Sequence, residues 1–185
     1  GASAQSLEDL AVFRAIPGMT VISPADPYEM ELAVKAIIEF NGPVYMRTGR
    51  SETPRFLDEN HKFEIGKGQI LKDGTDITIV SCGIQTYRAL KAAEELIKFN
   101  VNARVVNMPT IKPIDKSLLE DCLKISPNIL VTEDHNIHGG LYSATCEALS
   151  TSANSIIHDL CVQDTFGESG EPDELADKYH ISEKY

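Results

Sequence analysis

The sequence predicts an α/β protein: a three-layer α/β/α, mainly parallel sheet, preceded by an incomplete α/β segment. Three observations lead there. From Asp76 onward, short apolar runs alternate with segments of helical spacing. The runs at 77–81, 101–108, 129–132 and 156–162 lack polar alternation, as befits strands covered on both faces. Before residue 51 the same alternation gives only two strands, fewer than the roughly three a sheet needs to stand alone.

Taken in order, residues 6–15 read as a helix, with Ser6 as N-cap and Glu8 and Asp9 facing the positive helix end. Pro17 and Gly18 stop it, and residues 19–22 form a buried strand. Asp26 then caps a helix with Pro27 in its first turn, where a missing N–H costs nothing. Met30, Ala33, Val34, Ile37 and Ile38 recur there at helical spacing, and residues 44–46 give a second strand. Residues 51–75 are polar and carry Pro54, Gly66, Gly68 and Gly74. They read as a linker with short strands at 63–65 and 69–71. Beyond it come a strand at 77–81, a helix at 85–99 and a strand at 101–108. A loop at 109–115 follows, then a helix at 116–125 capped by Asp115. A strand at 129–132, a helix at 142–149, a strand at 156–162 and a helix at 172–179 complete the second unit, with a further helical turn from Ser182. Right-handed crossovers are the rule for such connections. The division is therefore 1–50, a linker over 51–75, and a complete domain over 76–185.

The 185 residues carry a net charge of −11, which argues against nucleic acid or an anionic membrane as partner. No apolar run approaches the roughly 20 residues of a membrane span, and no export signal opens the chain. Gly1 is not an initiator methionine, which fits a processed chain, an artificial junction or a fragment. Cys82, Cys122, Cys146 and Cys161 are widely spaced in apolar or helical contexts. They read as reduced thiols of a cytoplasmic protein.

The richest stretch is 132–141, Thr-Glu-Asp-His-Asn-Ile-His-Gly-Gly-Leu, at a strand's C-terminal end, where open α/β sheets hold ligands. Glu133, Asp134, His135 and His138 could make an acid/base or metal site, but they lack HExxH or CxxC spacing. A polar turn pairing its own charges, or lining a domain interface, is the preferred reading. Gly139 and Gly140 suit a turn needing positive φ or close backbone approach. His61, His158 and His180 are isolated and carry no assignment.

Residues 1–10 (GASAQSLEDL), then Arg14 to Pro17 and Ser23 to Asp26, resemble the transketolase pyrimidine-binding domain, and residues 44–50 resemble the strand and R-T-S-R segment that follows there. Residues 107–115 (NMPTIKPID), 133–141 (EDHNIHGGL) and 166–170 (FGESG) are similar to motifs of the transketolase C-terminal domain. The resemblance covers essentially the whole chain in order. It implies a transferase that moves two-carbon ketol units between sugar phosphates in the pentose phosphate pathway, using thiamine diphosphate and Mg²⁺. The family's Gly-Asp-Gly…Asn metal motif does not occur in this chain, nor does the upstream glutamate that activates the cofactor ring. The resemblance thus implies the C-terminal portion or small subunit of such an enzyme, inactive alone and not binding cofactor alone.

Carried over residue by residue, Arg50 falls on the arginine that binds the sugar phosphate, a task suited to a planar guanidinium fork. Arg47 reads instead as a structural ion pair. Ala4 stands where the family places a cofactor-contacting His or Gln, so that polar contact is lost; no residue here is assigned a catalytic or metal role. The 133–135 and 166–170 runs then read as structural. The expected partners are a second copy, a missing N-terminal portion or subunit, and sugar phosphates. Apolar surface of Val21, Ile22, Val44 and the 28–40 helix is expected to drive self-association. The alternative function is a non-catalytic dimerisation or regulatory module of a related enzyme, of deoxyxylulose-phosphate synthase or oxo-acid dehydrogenase β type.

Overall fold

The structure is a computed structural model that describes residues 5–185. Two sheets organise it: a five-stranded sheet in the order β3-β5-β4-β7-β8 and a three-stranded sheet in the order β2-β1-β6. In the larger, β4 (Ile77–Ser81), β5 (Ala103–Asn107), β7 (Asn128–Asn136) and β8 (Ile156–Val162) run parallel. Only the edge strand β3 (Gln69–Lys72) is antiparallel to its neighbour. The sheet is the mainly parallel α/β architecture its unalternating apolar runs predict.

Successive strand residues feed opposite faces. Ile79, Val105 and Leu130 pack on one side with Ala89 and Ala93 of α3 (Gln85–Leu96). Val80, Val106, Ile129 and Val131 turn to the other, against Leu119 and Cys122 of α4 (Lys116–Leu123) and Ala144 and Leu149 of α5 (Leu141–Leu149). Asp115 caps α4 as expected, accepting the Leu118 N–H at 3.2 Å. The final helix, α6 (Pro172–Lys178), buries Ala176 against Val162 and Ile181. Contrary to expectation, residues 182–185 form a single turn closed by the Tyr185 N–H on the Ser182 carbonyl at 3.2 Å, not a helix, and residues 63–65 form no strand, their Glu64 carbonyl accepting the Lys67 N–H at 3.0 Å in a turn. Among the described residues, no helix is long and apolar enough to cross a membrane, and the four cysteines are unpaired.

The smaller sheet explains the opening fifty residues. β1 (Thr20–Ile22) and β2 (Val44–Met46) pair in parallel. The third strand is borrowed: β6 (Thr110–Lys112), inside the expected 109–115 loop, pairs antiparallel with β1. Together with α1 (Asp9–Ala15), it buries Val21 and Ile22 completely, so these two residues offer no apolar surface to a partner. The first helix begins at Asp9, not Ser6. Glu8 takes the cap position, because the Ser6 carbonyl is drawn to Arg47. Asp26 caps α2 (Pro27–Glu39) through the Glu29 N–H at 2.8 Å. α2 buries only Glu29 and Ala33, leaving Val34 41% and Ile38 77% exposed.

Candidate functional site at the joint between the sheets

The C-terminal ends of β1, β2, β4 and β7 meet, and most of the polar residues singled out in the sequence gather there. The Gly83 N–H donates to the Ser23 carbonyl at 3.1 Å, and the Ser23 N–H donates to Pro109 at 2.7 Å, stitching the two strand ends together. The joint is therefore continuous backbone hydrogen bonding from one sheet to the other.

Arg47, the residue after β2, lies at its centre. Its Nε donates to Asp9 at 3.1 Å, its Nη1 to the Asp134 carboxylate at 2.5 Å, and its Nη2 to the carbonyls of Asp134 (3.0 Å) and Ser6 (3.2 Å). Burial alone would lower its pKa, but Asp134 and Asp9 more than reverse this and hold it above the ordinary arginine value. Tyr45 donates its hydroxyl to the same Asp9 oxygen at 2.6 Å and stacks on Phe13 at 3.7 Å. Burial, then Asp9, pushes its phenol up to about 12, so the hydroxyl stays a donor.

The 133–141 stretch is not an open acid/base constellation. β7 runs on through Asn136, longer than the strand expected to end at Thr132. Glu133 points to the start of α5 and accepts the N–H groups of Leu141 at 2.7 Å and Tyr142 at 2.9 Å. Those are donors a helix start leaves unpaired, and the dipole there favours a negative charge. Both glycines have a definite reason. Gly139 adopts φ +84°, and a Cβ at Gly140 would lie 2.1 Å from a Glu133 oxygen. His135 is buried; its Nδ1 sits 2.7 Å from the Asn136 carbonyl, and its Nε2 accepts the Ala11 N–H at 3.4 Å. That pattern fixes the neutral ring with its proton on Nδ1. The Asn136 N–H donates to the Leu7 carbonyl, and Arg14 reaches back to the carbonyls of Gly139 and Gly140. His135, Arg14 and the Asn136 backbone hold one unit to the other, while Glu133 braces β7 against α5 within its own unit.

Burial pushes the Glu133 carboxyl up to about 7 from an ordinary 4.5, against the pull of the two N–H groups and Arg47. Between those values the folded chain keeps a proton the unfolded chain has lost. Stability from this group therefore falls as pH rises through the window, by up to about 1.4 kcal/mol per pH unit. Burial lowers His135, which gives the opposite slope below its ordinary 6.5. Comparing wild type with Glu133→Gln isolates the first effect. Urea midpoints from pH 4.5 to 7.5 should show the variant less stable at the acid end, with the gap narrowing toward neutrality. Parallel profiles would mean that Glu133 does not titrate in this range.

A second buried network went unseen in the sequence. Glu29, fully buried in the first turn of α2, accepts from the Ala25 N–H at 2.7 Å and the Asn107 amide at 2.8 Å, and meets His61 Nε2 at 2.9 Å. Nothing local marks it. Glu29 reads as a helix-start charge and His61 as an isolated histidine, and only the fold brings them together.

Arg50 sits three residues past Arg47, exposed, and residues 48–50 make no hydrogen bond or ion pair with the described residues. A Cβ on Gly49 would meet nothing closer than 3.9 Å, so the turn presenting Arg50 is open. Ala4 lies outside the described residues. The described residues hold no group of three His, Cys, Asp or Glu placed to bind a metal, and the buried acids are engaged as above. They do not fit a diphosphate–metal pair.

Two α/β units joined strand end to strand end, the first with a sheet of two native strands, define the class. Comparison with known proteins places it. Residues 66–184 match the family of the transketolase C-terminal domain, and residues 1–55 match the transketolase pyrimidine binding domain. The chain belongs to the transketolase family. It is 43% identical to a putative transketolase C-terminal section of Methanocaldococcus jannaschii over 98% of this chain and 57% of that protein. It is 37% identical to a 6-deoxy-6-sulfo-D-fructose transketolase subunit of a Clostridium species, over 100% of this chain and 57% of that one. Among solved structures, a split-gene transketolase described as an inactive β4 tetramer superposes with TM-score 0.94 at 42% identity, over 100% of this chain and 60% of that one. The chain spans a little over half the length of these curated relatives.

Proposed function

We propose that this chain is the C-terminal portion, or small subunit, of a thiamine-diphosphate-dependent transketolase. Such an enzyme passes a two-carbon ketol unit between sugar phosphates. In this reading residues 1–50 are the end of the pyrimidine domain, 51–75 the crossing segment and 76–185 the C-terminal domain. The diphosphate and Mg²⁺ bind a partner polypeptide or a further stretch of chain. The bound cofactor supplies carbanion stabilisation. This chain's part is to hold substrate, with Arg50 gripping the phosphate and Arg47 securing the stem of its loop.

The observation that carries the reading is the small sheet. Two of its three strands are its own, the outer edge of β2 has no neighbour among the described residues, and α2 leaves Val34 and Ile38 in solvent. An α/β unit with so little of its helix buried is suited to completion by another surface. The second reading, a non-catalytic association module, draws on the fully engaged 133–135 turn and on the relative described as an inactive β4 tetramer. Both readings expect a dimer or larger assembly by sedimentation.

Reconstitution separates them. Mixed with a protein that supplies the diphosphate domain, thiamine diphosphate and Mg²⁺, the chain is expected to give ketol transfer that neither part shows alone. Calorimetry on the chain alone should give no micromolar cofactor binding. Tight binding would relocate the cofactor site, and a stable complex without turnover would favour the association module.

A further inference from the structure

Residues 48–54 run between two anchors, and Arg55 just beyond them lies over the Tyr28 ring at 4.6 Å. On the far side, the N–H groups of Phe56 and Leu57 donate to Asp26 at 3.0 and 2.9 Å. On the near side the anchor is Arg47, whose backbone N–H donates to Ile22 at 2.8 Å. Four of the five guanidinium N–H groups an arginine carries are used there, so the side chain has no freedom to swing. Two of those four bonds end on one residue of the other sheet: Asp134, through carboxylate and carbonyl. Asp134 is thus the only residue of the 76–185 unit bonded to this guanidinium among the described residues. It stands next to Glu133, which is locked to α5. The chain of contacts runs from the α5 start through β7 and Arg47 into the loop that carries Arg50.

We propose that Asp134 is a positioning residue for the substrate-phosphate loop, setting the place of Arg50 through Arg47. This rests on the reading of Arg50 as the phosphate ligand, and it gives the C-terminal unit a share in substrate recognition. A guanidinium held by one carboxylate can pivot about that contact, whereas one held by Asp9 and Asp134 on separate elements cannot. The direction of the strand stem, and so the reach of an arginine three residues on, depends on both.

The test is a mutant cycle in the reconstituted enzyme, read together with NMR of the full chain. Asp134→Asn keeps the shape and removes the charge. It is expected to raise KM for a phosphorylated donor roughly 5- to 20-fold, as displacement of a binding group does. The kcat, and the KM of an unphosphorylated donor, should move less than about twofold. Asp134→Glu should recover part of the loss. The double variant Arg50→Ala/Asp134→Asn should lose no more than Arg50→Ala alone, since the two act as one unit. The amide resonances of residues 48–50 should shift in Asp134→Asn and move back toward wild type in Asp134→Glu. Equal losses on both donors, additive losses in the double variant, or unmoved 48–50 resonances would each overturn the proposal. If Arg50→Ala itself fails to discriminate the donors, the phosphate reading has failed. The resonance shifts then report separately whether Asp134 places the loop.

Discussion

Gly140→Ala is expected to destabilise the chain by roughly 3–5 kcal/mol, because it evicts a buried carboxylate from the helix start it caps. The added Cβ would lie 2.1 Å from Glu133 Oε2 and 2.7 Å from its other oxygen. Glu133 is fully buried, with the Cys161 thiol 3.8 Å from Oε1, so it has little room to retreat. Both bonds to the Leu141 and Tyr142 N–H groups are lost together; above pH about 7, where Glu133 is ionised, each is worth about 1.5–3 kcal/mol, so the full penalty is expected there. For a chain of this size the loss corresponds to a Tm drop of about 10 °C, measurable by calorimetry beside urea midpoints. The decisive comparison is the Glu133→Ala background. There the methyl group has no carboxylate to strike, and Gly140→Ala should cost less than about 1 kcal/mol. An undiminished penalty in that background would place the strain in the backbone and remove the close-approach account of Gly140.

The same turn shows what local sequence can and cannot carry. A Gly-Gly pair announces either positive φ or close approach; here Gly139 answers both, since a Cβ on it would also lie 2.4 Å from the Ala11 Cβ, and Gly140 answers the second. Gly139 has φ +84° and Gly140 the carboxylate. The four parallel strands were legible because buried strands of apolar, β-branched residues need no partner to be recognised. The caps at Asp26 and Asp115 were legible because a cap is satisfied within three residues. β6 was not: three residues between Pro109 and Pro113 carry no strand signal, and only β1 lying alongside gives them a ladder. Ser6 failed as a cap for a related reason. A distant arginine fixes that segment, so the tertiary bond overrides the local preference. In the joint, the acidic turn was read as interface-like from its motif. Its partners Arg47, Ala11 and Leu7 lie about a hundred residues away in sequence and could not be named. The Glu29–His61–Asn107 network was invisible because each member looks ordinary where it stands.

If the proposed transketolase reading holds, Arg50→Ala, assayed with a protein that supplies the diphosphate domain, is expected to lower kcat/KM for phosphorylated donors by about thirty- to two-hundred-fold while largely sparing short unphosphorylated ones. The estimate follows from a charge-assisted, two-pronged contact worth roughly 2–3 kcal/mol. Arg50 is exposed and makes no ion pair or hydrogen bond with the described residues, so truncation breaks no bond among them. Folding stability should stay within about 0.5 kcal/mol, as for surface positions generally. That separates it from Arg47→Ala, which strands the Asp9 and Asp134 carboxylates at the joint and would lower stability and every activity together. Arg50→Lys should recover only part of the loss, because an ammonium keeps the charge but not the fork. Cofactor affinity should barely change, since the diphosphate is assigned to another domain. The measurement is kcat/KM on matched phosphorylated and unphosphorylated donors for wild type and both variants. Equal losses on the two donors would make Arg50 a structural support. The opposite pattern, a loss that vanishes with the phosphate, leaves the guanidinium and the phosphate as the two ends of one contact.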